Sequence, residues 1–199
     1  MPQSKGRDTQ PSVQDVALIV GGGPGISASC ARLFAEDGMR VGIAARSPDK
    51  AVMLHLEKTH GVRRYACDAS EPASVEQLFQ HVVRDLGPPT LLVHNIDGRV
   101  PGIFGKSIIG ADPGQAFDTL RGSAFSAFLV GQQAARLMLE NNLNANGAKG
   151  TIIFTNASAA LKGFPSSGAF DGMPREIRPR AEHGKRTDAA GYPHRKCAD

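Results

Sequence analysis

Tryptophan is absent from this 199-residue chain, and tyrosine occurs only at Tyr65 and Tyr192. So sparse an aromatic set offers little for bases to stack on. The formal net charge is only +4, and the basic residues are scattered, which excludes nucleic acid as the expected partner. Cys30, Cys67 and Cys197 are odd in number and lack metal-ligand spacing. Reduced thiols in a cytoplasmic protein are expected, with no metal site. No apolar run reaches the ~20 residues of a membrane span, so no membrane association is expected. Residues 1–14 have no apolar stretch of the kind a signal peptide needs and read as a disordered arm. No internal repeat is present.

What the sequence does hold is an alternation of short apolar runs and helical periods between residues 15 and 170. Val16–Val20 is a solidly apolar strand that breaks into Gly21-Gly22-Gly23-Pro24-Gly25 and re-emerges as a helix near Ile26. Strand, glycine turn and helix in that order can hold a pyrophosphate. The glycines let the backbone approach, and the helix's first turn supplies unpaired N–H groups and the positive end of its dipole. A purely structural turn would use the same residues.

The helix over 26–37 places Ile26, Cys30, Leu33 and Phe34 on one face and stops at Gly38. A strand over 40–44 follows, then a helix over 49–59 carrying Val52, Leu56 and Thr59, and a third strand over 62–67. The helix over 73–86 has the cleanest stripe: Val75, Leu78, Phe79, Val82, Val83 and Leu86. A fourth strand ends at His94-Asn95. One long helix is predicted over 115–141, with Phe117, Leu120, Ala124, Phe128, Gly131, Ala135 and Met138 on one side as core or subunit interface. A fifth strand over 151–155 leads to Asn156-Ala157-Ser158. Apolar strands alternating with helices predict an α/β protein with a doubly wound parallel sheet, a Rossmann-type fold, incomplete after the fifth strand.

In such sheets ligands bind at the carboxyl ends of the strands. Arg46 stands there after the second strand, where an acidic residue would suit NAD; an arginine suits the 2′-phosphate of NADP. A solvated arginine after a strand is the plain alternative. Asp68, Asn95 and Ser158 follow the third, fourth and fifth strands. Each alone is an ordinary turn-former, but together they mark successive strand ends. His55, His60, His81 and His94 lack ligand spacing and read as surface or loop histidines, and Asp97 as a loop acid without an evident partner.

From residue 15 to Phe170 this pattern resembles the short-chain dehydrogenase/reductase family. Gly21 and Gly25 match that family's Thr-Gly-x-x-x-Gly-Ile-Gly turn, with Ile26 beside them and Ser27 in place of the last glycine. Asp68 matches the aspartate facing the adenine, Asn95 the one retained residue of Asn-Asn-Ala-Gly, and Ser158 the catalytic serine that hydrogen-bonds the substrate carbonyl. The resemblance implies an NAD(P)-dependent oxidoreductase that passes hydride between NADP(H), in preference to NAD, and a small carbonyl or alcohol substrate. It also implies a homo-oligomer, provided the C-terminal half is complete. The family's Tyr-x-x-x-Lys pair is missing: Phe170 and Pro174 stand at those positions. The asparagine of its long helix is replaced by Ser123. The residues therefore leave open a non-catalytic dinucleotide-binding or regulatory protein, and a non-functional fragment.

Composition changes where the motif is lost. Residues 171–199 hold Met173 and Ile177 as their only large aliphatics, against three prolines, three glycines and seven Lys or Arg. Such a segment cannot bury enough to fold alone and reads as a disordered tail. Back-translated and read one base later, it admits Ala-Lys-Ser-Gly-Leu-Ala-Gln-Ser-Met-Ala-Arg-Glu-Leu, an amphipathic helix like the family's next one. That reading makes 171–199 an out-of-frame translation of a truncated or mis-joined gene.

Overall fold

A computed structural model describes residues 15–103, 106 and 109–157. Five strands, β1 (Val16–Val20), β2 (Arg40–Ala45), β3 (Arg63–Ala66), β4 (Leu91–His94) and β5 (Thr151–Phe154), form one sheet in the order β3-β2-β1-β4-β5. Every pairing is parallel, with Val20 opposite Ala44 on one side and His94 on the other. The order reverses at β1, so the strand ends of β1 and β4 flank the crevice where a doubly wound sheet binds ligands. The described residues include no helix long and apolar enough to cross a membrane.

Alternation along β1 sends side chains to two cores. Val16, Leu18 and Val20 join α3 (Pro72–Asp85) and α5 (Ser126–Leu139), through Val75, Leu78, Phe79, Val82, Val130, Ala134 and Met138. Ala17 and Ile19 meet α1 (Ile26–Glu36) and α2 (Ala51–His60) on the opposite face, through Ala28, Ala31, Met53 and Leu56. Helices on both faces explain why the strands are apolar throughout.

All four helix faces depart from expectation, α3 in one residue only: Val83 of its stripe is exposed. On α1 the buried residues are Ser27, Ala28 and Ala31, whereas Ile26 and Leu33 are exposed. Small side chains let this helix lie close to the sheet, while Cys30 and Phe34 of the expected face pack half-buried against the core. On α2, Met53 is buried beside Leu56, while Thr59 is exposed and bonds the carbonyl of His55. The single long helix is three pieces: α4 (Pro113–Leu120), a π-helical stretch over Arg121–Phe125, and α5. The wider π turn shifts the phase, so the helix buries Ser126, Val130, Ala134 and Met138. Phe117 and Phe128, expected on one side as core or subunit interface, are exposed and so do not belong to the core.

Candidate functional site

The first site residue is fixed by close packing. Gly21 has φ +109°, and a Cβ there would lie 2.0 Å from the Asn95 carbonyl oxygen. Both the conformation and the space require glycine. The turn is held from three sides. The N–H groups of Gly21 and Gly22 donate to the Ala44 carbonyl at 2.9 Å, Lys50 Nζ donates to the Gly22 carbonyl at 3.0 Å, and the Asn95 N–H donates to Val20 at 2.8 Å. By contrast, a Cβ at Gly23 or Gly25 would meet nothing within 4 Å. Gly25 is the N-cap of α1, and among the described residues no side chain caps that helix. Its first-turn N–H groups are therefore offered at the mouth of an open glycine turn.

Beside this turn lies a cleft of about 540 Å³, lined by the strand ends. Gly21, Arg46, Asp68 and Asn95 all line it. Gly25 and Ile26 stand at the start of α1, outside its walls, with Ile26 56% exposed. Ser158, Phe170 and Pro174 lie outside the described residues, as do the N-terminal arm and the tail.

Asp68 Oδ1 accepts from the Ser70 hydroxyl at 2.7 Å and the Ser70 N–H at 3.0 Å. These bonds, assisted by the charges of Arg46 and Arg121, hold its carboxyl below the ordinary range against a smaller cost of burial. An anionic carboxylate thus shares the cleft with two cations. Arg121, from the π stretch, also pairs with Glu71 at the start of α3. Asp97, expected to be alone, is paired: Arg99 Nε donates to its Oδ1 at 2.6 Å and the guanidinium makes a second bond to Oδ2.

His94 is a correction. It is 4% exposed, its Nε2 lies 3.0 Å from Ser126 Oγ, and its ring packs 5.9 Å from that of Phe154. A missing ligand spacing says nothing about burial, and its place as the last residue of β4 was the signal of an inward side chain. Ser126 Oγ donates to the Gly122 carbonyl at 2.7 Å, so His94 ties the end of β4 to the π stretch. The same join is made by glycines: a Cβ on Gly98 would lie 2.3 Å from the Ser123 nitrogen. Lys50, Arg121, Gly98 and Gly122 are site-forming residues that the motif reading passed over. A glycine inside a helical period was the visible sign of Gly122.

This geometry fits a dinucleotide: glycine backbone and an uncapped helix for the pyrophosphate, then Arg46 and Asp68 along the next two strand ends. Comparison with known proteins agrees. A family model described as enoyl-(acyl carrier protein) reductase matches residues 21–173. The short chain aldehyde dehydrogenase 1 of Euphorbia lathyris is 28% identical over 152 residues, 75% of this chain and 50% of that protein. Among solved structures, an actinorhodin polyketide ketoreductase with NADPH is similar at TM-score 0.69 and 23% identity, covering 79% of this chain and 59% of the other. An NADH-dependent reductase complexed with NAD is similar at TM-score 0.67 and 21% identity, covering 79% and 66%. The chain spans about half to two thirds of the length of three curated relatives it matches. With the glycine turn, the parallel sheet and the family match in agreement, the chain belongs to the short-chain dehydrogenase/reductase family.

Proposed function

We propose that this chain binds NADP(H), in preference to NAD(H), in the cleft at the ends of β1 to β4, as a short-chain oxidoreductase by descent. The observation that carries the reading is the glycine turn, closed to any side chain at Gly21 and open at Gly23 and Gly25 before the uncapped start of α1. In the proposed roles Gly21, Gly25 and Ile26 bring backbone to the pyrophosphate. Arg46 meets the 2′-phosphate, Asp68 faces the adenine, and Lys50 and Asn95 steady the turn. When bound, the nicotinamide donates or accepts hydride. Ser158 would orient and polarise the carbonyl of a small substrate. Phe170 has no proton to donate and Pro174 no charge, so this chain offers the carbonyl no proton from those positions.

Titration of the purified chain with NADPH and NADH tests the reading. NADPH is expected to bind more tightly, and Arg46→Ala to weaken it roughly 10-fold or more through loss of charge-assisted bonds, with little effect on NADH. Equal affinity for the two nucleotides would remove the role given to Arg46. Phe170 favours one second reading, a dinucleotide-binding protein without turnover; binding of NADPH with no oxidation by a panel of carbonyls would select it.

A further inference from the structure

Three side chains form a one-way hydrogen-bond relay that ends on the glycine turn. Thr155 Oγ1 donates to Asn95 Oδ1 at 2.8 Å, Asn95 Nδ2 donates to Ser27 Oγ at 2.7 Å, and Ser27 Oγ donates to the Gly21 carbonyl at 2.6 Å. The direction is forced, because amide nitrogen only donates and carbonyl oxygen only accepts. Flipping the Asn95 amide would pull the Ser27 proton away from Gly21. Thr155 has a second acceptor, the His94 carbonyl, at the longer distance of 3.3 Å.

Neither Ser27 nor Thr155 lines the cleft, and Ser27 is fully buried. Their place in the fold gives the relay its meaning. Gly21 is the residue that packs against the Asn95 backbone, so its peptide plane fixes how the rest of the turn is presented. Thr155 directly follows β5, which among the described residues sits at the end of the sheet order and pairs with β4 alone. Edge elements open most readily, and the relay joins that edge to the turn.

We propose that Thr155 and Ser27 are positioning residues for the dinucleotide: the Thr155 hydroxyl sets the glycine turn's affinity through Asn95 and Ser27. Nucleotide binding and the seating of β5 then stabilise one another reciprocally. This rests on the reading that the cleft takes NADP(H).

The test compares Thr155→Val, which keeps the shape and removes the hydroxyl, with Thr155→Ser, which keeps the hydroxyl. In the full chain, Thr155→Val should weaken NADPH roughly 2- to 10-fold, the worth of one hydrogen bond, and Thr155→Ser should restore affinity. Ser27→Ala should weaken binding as well, and adding Thr155→Val to it should cost little more, because the relay is already cut. Without nucleotide, the Gly21 and Gly22 amides should exchange faster in Thr155→Val than in Thr155→Ser. Binding by the unsubstituted chain, with Thr155→Val within twofold of it and glycine-turn exchange unchanged, would overturn the relay alone. Additive losses in the double variant would overturn it too. No NADPH binding by the unsubstituted chain would overturn the relay's role together with the proposed function.

Discussion

His94 shows how one side chain can carry both packing and pH dependence. Its ring is enclosed between β4, Ser126 and Phe154, and burial holds its pKa below the ordinary histidine value. The unfolded chain then takes up the proton more readily than the folded one. Stability is therefore fully present above the ordinary pKa of about 6.5 and falls as pH drops below it. For one such group the slope cannot exceed about 1.4 kcal/mol per pH unit. Urea midpoints should decline between about pH 7 and pH 5.5 for the unsubstituted chain, beyond the ordinary histidine pKa. In His94→Gln they should decline less. Equal pH slopes for the two proteins would show that His94 is not a protonation-sensitive part of the core.

Between elements, the closest join is made by the loop after β4 and the π stretch. A Cβ on Gly98 would meet the Ser123 nitrogen at 2.3 Å and the Gly122 carbonyl carbon at 2.4 Å, both backbone atoms that cannot rotate aside. Gly98→Ala should therefore force loop and helix apart and cost about 1–3 kcal/mol or more, the usual range of overpacking. Gly23→Ala, with nothing within 4 Å of its Cβ, should leave the melting temperature close to that of the parent. Equal melting temperatures for the two variants would contradict the packing. This join marks the limit of what the sequence discloses. Strand runs, the places of the helices, most of the α3 stripe and the β1 turn were legible because periodicity and glycine chemistry are local. Arg46, Asp68 and Asn95 were legible as cleft residues because a parallel sheet brings its strand ends to one side. The π turn was not, because one extra residue in a helix leaves no mark on an apolar stripe; it only makes the stripe wrong. The Arg99 partner of Asp97 and the Ser27 relay depend on where loops cross, which spacing does not encode.

At the scale of the whole sheet, its two sides are unequally finished among the described residues. β2, β1 and β4 are buried on both faces, while Thr151, Ile153 and Phe154 of β5 are exposed. Phe117, Phe125, Phe128, Leu139 and Leu143 are exposed along α4, the π stretch, α5 and the turn after it. An apolar parallel strand at a sheet edge is a template for pairing with another chain, and an aromatic helix face beside it adds unspent apolar surface. The 199-residue chain is accordingly expected to bind a hydrophobic dye in its native state and to self-associate as its concentration rises. Ile153→Lys, which puts a charge on the edge strand, should reduce both dye fluorescence and the sedimenting mass. The two readouts separate the causes. If Ile153→Lys lowers association and leaves dye binding intact, the edge pairs chains and the aromatic helix face takes the dye. A sharp cooperative melt from a concentration-independent monomer without dye binding would mean that this surface is covered, and the expectation would fail.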